Sequence, residues 1–207
     1  MRRFFKWAFG ILGGVIGAFA ILIAAMWLSE DVRYRVIYEV GKHVDLNSPV
    51  PQRAMDAQIA ALKRVTLIDQ NGKPFDWNAQ PGAIIWVNEW ANWCVPCRLE
   101  FGAMKALQDR VGPNKLRIVL FSQPQYWETD KRLAKQLGLD FEMVTAGDAS
   151  EADLAAINLS KRASSDFLLP ESTFLHADGR GLIAMHELRD WDSSTWQAIV
   201  EHWYGER

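Results

Sequence analysis

Cysteine is nearly absent from this chain, with only Cys94 and Cys97 in 207 residues. A structural zinc site takes four ligands, and no second cysteine pair or H-x3-5-H run exists to complete one. The four histidines, His43, His176, His186 and His202, are scattered and read as surface or packing residues. Charge of one sign is also lacking. A net charge of −2 is near balance, so neither nucleic acid nor an acidic polymer is implied as a partner. Internal repeats and low-complexity tracts are missing as well.

What the chain does have is a run of 21 residues without charge, Ala8 to Leu28. A helix of that length spans about 30 Å, the thickness of the hydrocarbon core of a bilayer. Arg2, Arg3 and Lys6 precede it, and Trp7 and Trp27 sit near its ends, where interfacial aromatics belong. Ala18-Phe19-Ala20 fits a signal-peptide cleavage site, but eight apolar residues follow it, an odd start for a mature chain. Lysine and arginine number three on each flank, with Arg33, Arg35 and Lys42 beyond the run. The short basic amino end, like the leading segment of a signal, places the long remainder outside the cytoplasm. The expected organisation is a basic cytoplasmic end (1–7), a transmembrane anchor in the lipid bilayer (8–28), a helical stalk and linker (29–53) and one soluble domain (54–207).

In the stalk, Ser29 can cap a helix on which Val32, Val36, Val40 and Val44 repeat, and Pro49 and Pro51 end it. Asn47 to Arg53 reads as linker and Met55 to Lys63 as a short helix. Val65 to Asp69, Asn71-Gly72 and Lys73 to Trp77 then read as a hairpin. Strands are expected at 83–90, 116–122, 141–145 and 182–187. Helices are expected at 98–111, with Leu99, Met104, Leu107 and Val111 inward, and at 129–137 and 153–159. A last helix would run to about Tyr204 behind a capping box, Ser194 to Gln197. This alternation predicts an α/β fold, a mixed sheet covered by helices on both faces. Most of the ten tryptophans belong in the core or along a groove.

The two cysteines form C-x-x-C around Val95 and Pro96, between an apolar strand and a helix. At such a junction, unpaired N–H groups and the helix dipole favour a thiolate at Cys94, the species that attacks disulfides. Cys97, one turn on, can resolve the mixed disulfide, so the pair can pass two electrons. As a structural bridge the ring is a poor staple, because its loop is too short to restrict the unfolded chain much. Haem attachment would need histidine after the second cysteine, and Arg98 stands there.

The segment W-A-N-W-C-V-P-C-R-L-E resembles the active-site segment of membrane-anchored, thioredoxin-like thiol–disulfide oxidoreductases of the TlpA, ResA and CcmG type, whose pattern runs V-N-F-W-A-x-W-C-x-P-C-R-x-E-x-P. The likeness is close from Val87 to Glu100 and looser after residue 60. It departs at Glu89, where the pattern has an aromatic, and at Gly102, where it has proline.

The resemblance implies a thioredoxin-like fold and a cis proline at Pro170 that holds the substrate strand. Thr173-Phe174 falls one residue later than in the usual P-x-T-F, so either a bulge absorbs the extra residue or the turn differs. The resemblance also implies a buried acid at Glu100, three residues after Cys97 and on the same helix face, able to exchange a proton with it. Pairing of Glu100 with Arg98, Lys105 or solvent is the plain alternative. Glu89 in the central strand is a second candidate for tuning, with a cation partner as its plain alternative. Asn88, on the opposite face of the strand, Trp93 and Pro96 complete the candidate tuning set.

Cys94 and Cys97 are thus read as the catalytic dithiol of a reductase of protein disulfides needing no metal or organic cofactor. Its domain would face the periplasm or cell exterior from the inner membrane, in a single-pass chain. The resemblance implies a membrane electron donor of the thiol-transfer type and client proteins, apocytochrome c among them. Reduction potential sets direction, so a disulfide donor or isomerase stays open. A Cu(I)-binding or client-holding module is the alternative from another class, since soft thiolates suit Cu(I).

Overall fold

The computed structural model describes residues 52–157, 169–186, 191 and 193–205, together with Gly17 and Ile21. Two compact units divide the chain, Met1–Val40 and Gly41–Arg207. Every element below belongs to the second. Apart from Gly17 and Ile21, the proposed anchor 8–28 lies outside the described residues, as do residues 29–51 of the stalk and linker. Among the described residues no helix is long and apolar enough to cross a membrane.

The first helix, α1 (Gln52–Arg64), buries Met55, Ile59 and Leu62 at helical spacing. It starts inside the stretch expected to be linker, because Gln52 Nε2 donates to Asp56 Oδ1 (2.8 Å) and closes one extra turn. Strand β1 (Leu67–Asp69) follows. The expected hairpin forms only in part: Asp69 N–H reaches Lys73 O (2.8 Å), but the returning arm is a single bridge between Ile68 and Pro74. Phe75 N–H also reaches Leu67 O (2.8 Å), so Pro74 sits where an N–H would point away from β1, and Lys73 to Trp77 forms no strand beyond this bridge.

Strand β2 (Ile84–Trp90) is buried at all seven positions. Helix α2 (Val95–Val111) begins three residues before the expected start at Arg98. Its inward face is Cys97, Glu100, Phe101, Met104, Leu107 and Val111, while the expected Leu99 is half-buried. Gly112, at φ 95°, closes it. Then come β3 (Leu116–Ser122), a 3-10 turn (Pro124–Tyr126), α3 (Trp127–Gln136), β4 (Glu142–Ala146) and α4 (Glu151–Ile157).

Strands β5 (Glu171–His176) and β6 (Gly181–His186) precede α5 (Ser194–Gly205). The capping box expected from Ser194 does not form. Ser193 Oγ accepts from Trp196 N–H (3.4 Å), and Gln197 reaches forward to Glu201 (3.2 Å). Of the histidines, His176 is buried, His202 is exposed, and His43 lies outside the described residues.

The strands form one sheet in the order β1-β4-β3-β2-β5-β6. The β2–β3 and β3–β4 pairs are parallel, and the β1–β4, β2–β5 and β5–β6 pairs antiparallel. Side chains alternate along β2 and divide the core in two. Ile84, Trp86 and Trp90 join α2, α3 and α5 on one face; Ile85 and Val87 join α1 and α4 on the other. On the first face Trp86 stacks on Phe174 (4.7 Å between centroids) and meets Trp191 (4.5 Å). Trp86, Trp90 and Trp191 are fully buried, whereas Trp93 is 45% exposed.

Candidate active site

The carboxyl end of β2 feeds the C-x-x-C turn directly. Cys94 is the N-cap of α2, with φ −78° and ψ 92°, and its Sγ accepts a hydrogen bond from Cys97 N–H (3.2 Å). Val95 and Pro96 fill the first two helical positions. Proline loses nothing there, because those N–H groups have no partner within the helix. The two sulfurs are joined as a disulfide, with Cα atoms 5.4 Å apart. Once reduced, Cys94 Sγ would keep the N–H and the positive end of the helix dipole, both of which favour its thiolate.

Sheet register brings a distant segment to the same place. Glu171, the first residue of β5, pairs with Glu89 near the end of β2, so Pro170 arrives at the sheet end that carries the cysteines. The Leu169–Pro170 peptide is cis. Pairing between β5 and β2 runs unbroken from Glu171 to His176. The irregularity in β5 falls between Phe174 and Leu175, against β6, so no bulge separates Pro170 from Thr173 on the side of the central strand.

Glu100 is fully buried and accepts a hydrogen bond from Trp191 Nε1 (2.7 Å). Lys105, one of its expected partners, instead reaches Asp109 (2.7 Å) and Asp140 (3.7 Å). Glu89 is buried on the α1 face, where its Oε1 accepts from Gln123 Nε2 (2.7 Å). Its register partner Glu171 accepts from Gln58 Nε2 (2.6 Å), and Gln58 Oε1 accepts from Thr173 (2.7 Å). Asn88 occupies the other face, as its place in the strand requires, and shares Ser172 Oγ (3.0 Å) with Trp86 Nε1 (2.9 Å). Trp93 stands at the surface beside Cys94, edge-on to Tyr126 (6.0 Å).

One group escaped the sequence reading. Asp130, fully buried on α3, accepts from the backbone N–H (2.7 Å) and side-chain amide (2.9 Å) of Asn92, two residues before Cys94. Its second oxygen accepts from Ser122 Oγ at the end of β3. The available signal was spacing, since Asp130 lies one turn from the buried Ala134. Trp191, Ser172 and Gln58 were missed because their partners lie 86 to 113 residues away in sequence.

No protein-family model matches the chain. Solved structures do resemble it. A thiol:disulfide interchange protein of the thioredoxin family from Chlorobium tepidum TLS is 22% identical, with TM-score 0.50, over 67% of this chain and 91% of that one. The thioredoxin domain of a thiol-disulfide oxidoreductase from Bacteroides vulgatus gives 18% and 0.50 over 66% and 95%. A thiol:disulfide interchange protein from a Bacteroides species gives 18% and 0.51 over 66% and 86%. The fold is thioredoxin-like.

In this thioredoxin-like domain the dithiol turn is held by Asp130, whose state depends on pH. Burial pushes its carboxyl above the ordinary value of 3.8, against the opposing pull of hydrogen bonds from Ser122 and Asn92. The folded state therefore binds this proton more tightly than the unfolded state. The resulting stability is fully present below the unfolded value and is lost as pH rises through the folded one. Asp130→Asn keeps the shape and removes the titration. Relative to that variant, the unaltered protein should lose stability as pH rises above the ordinary carboxylate value, read from urea midpoints at each pH. Parallel midpoints would rule out the titration. Asp130→Ala should cost about 1–3 kcal/mol, because the Asn92 amide loses its acceptor.

Among the described residues no group of three His, Cys, Asp or Glu side chains could hold a metal ion. The donors assembled at the site are two sulfurs joined to each other.

Proposed function

We propose that the protein is a thiol–disulfide oxidoreductase working as a reductase of protein disulfides. A single observation carries this reading: a Cys94–Cys97 disulfide at a helix N-terminus, with a cis proline delivered to the same end of the sheet. In the reduced state, the Cys94 thiolate attacks one sulfur of a client disulfide. The S–S bond breaks, a mixed disulfide forms, and the other client sulfur leaves as a thiolate that takes up a proton. Cys97 then loses its proton and attacks Cys94 Sγ, releasing the second client sulfur. The client gains two electrons and two protons, and the dithiol becomes the disulfide seen here.

Pro170 and its neighbouring backbone hold the client strand beside Cys94 in this proposal. Glu100 exchanges the proton of Cys97. The spacing supports that role, since residues three apart on a helix have Cβ atoms about 5–6 Å from each other. Both residues are also fully buried, out of reach of bulk water as a proton acceptor. Trp93 and Pro96, next to the cysteines in the chain, and Asn88 and Glu89, near the end of β2, tune the pair.

The uncharged run 8–28 supports anchoring in the inner membrane as a single-pass chain, with the domain facing the periplasm or cell exterior. In that oxidising compartment the dithiol needs a membrane electron donor to restore it. Apocytochrome c is a candidate client.

Direction and location can be tested together by quenching living cells with acid and alkylating their thiols. A reductase should show Cys94 and Cys97 mostly reduced while the donor works, and a membrane-impermeant maleimide should label Cys94 in intact spheroplasts. A steady-state disulfide would reverse the direction to disulfide donation. Labelling only after lysis would overturn the location.

A further inference from the structure

Beside the dithiol, a cleft of about 380 Å³ opens between the first turn of α2 and α3. That is room for about a dozen waters, so a side chain with its backbone fits as well as an ion does. Asn92, Arg98, Thr129, Arg132, Leu133 and Gln136 line it, giving two positive charges and no negative one. Arg98 Nε is buried and has no hydrogen-bond partner among the described residues. Arg132 spends one donor on the backbone oxygen of Glu128 (3.3 Å), and no described carboxylate forms an ion pair with either guanidinium.

The nearby acids are already engaged. Glu128 holds Lys131 (2.8 Å), and Asp130 is bound by Ser122 and Asn92. A guanidinium fork matches the two oxygens of a carboxylate.

We infer that this cleft binds a carboxylate, supplied by an acidic side chain of the client polypeptide close to the disulfide under attack. The inference rests on the reductase reading for its occupant, and position argues for a client over a free ion. Arg98 directly follows Cys97 and Asn92 lies two residues before Cys94, so a chain joined to Cys94 Sγ has the cleft within a residue or two of its path. Leu133 gives the methylene groups of an acidic side chain an apolar surface, which a free inorganic anion would not use. Sequences carrying glutamate or aspartate beside the cysteine would thus be preferred over neutral ones. The charges would set this preference, while the dithiol performs the same exchange on both.

The test uses the whole 207-residue chain in detergent and two peptide series that differ only in glutamate or glutamine next to the cysteine. S-methylated peptides, which cannot react, are titrated against the disulfide form; disulfide-linked ones are assayed as substrates. The glutamate peptide should bind about tenfold tighter at low salt, the order expected for two partly exposed charge pairs. The same ratio should appear in kcat/KM and shrink in high salt. Arg98→Gln with Arg132→Gln should bring both ratios close to one. General damage to the fold would instead lower both peptides together and leave the ratios standing.

Equal binding of the two peptides by the unaltered protein would overturn the carboxylate site, whatever its activity. A preference that survives the double substitution would overturn the assignment to these arginines. Inorganic phosphate that saturates the cleft, without any preference between the peptides, would overturn the client as occupant. Failure to reduce either disulfide peptide, with the binding preference intact, would overturn the reductase reading and leave the site in place.

Discussion

Cys97→Ser should convert the protein into a trap. Cys94 remains able to attack, but the sulfur that would release the client is gone, so mixed disulfides accumulate. They should appear on non-reducing gels as higher-mass species that collapse to the monomer with dithiothreitol. Cys94→Ser should form none, and its exchange rate should fall to the uncatalysed value. The asymmetry follows from position. Cys94 is the N-cap and accepts the Cys97 N–H (3.2 Å), whereas Cys97 lies inside the first turn. Titration of Cys94 in the reduced protein should give a pKa below the ordinary thiol value of about 8.5, since the helix terminus favours the anion. An ordinary value together with no captured client would remove the catalytic assignment.

Glu100→Gln should produce the second large effect. Glu100 is fully buried and accepts a hydrogen bond from Trp191 Nε1 (2.7 Å). In the proposed mechanism this group exchanges a proton with Cys97, three residues before it on α2. Glutamine keeps the shape and can still accept from Trp191, so folding should survive. The step in which Cys97 reacts should slow by about 10²–10⁴-fold, the usual contribution of general acid–base catalysis. The pH dependence of that step should also lose an inflection. A slower rate with an unchanged profile would make Glu100 structural. An altered profile for Glu89→Gln alone would move the role to the central strand.

Much of this site could be read from local sequence. The apolar run before Cys94 and the helical spacing after it place the cysteines at a strand-to-helix junction, and the structure does so too. Helix α2 starts at Val95 and not at the expected Arg98, and Pro96 is tolerated in its first turn because the missing N–H would be unpaired anyway. The expected hairpin after Asp69 closes only around the Ile68–Pro74 bridge, and Lys73 to Trp77 forms no strand. At Glu100 the local reading offered Arg98 or Lys105, both within five residues. The partner found is 91 residues away.

The sequence by itself determined where the dithiol lies, the order of the elements, and the opposite faces of Asn88 and Glu89. Those properties follow from periods of 2 and 3.6 residues and from capping, all of which act over one or two turns of chain. Only the tertiary structure decided which groups meet. It set Trp191 on Glu100, Asp130 beneath Asn92, Gln123 on Glu89, and Pro170 at the sheet end that carries the cysteines. Each of these pairings depends on strand register and on how a helix lies across the sheet. A slip of one residue in β5 would turn Ser172 and Glu171 to each other's face, and no local period distinguishes those two arrangements.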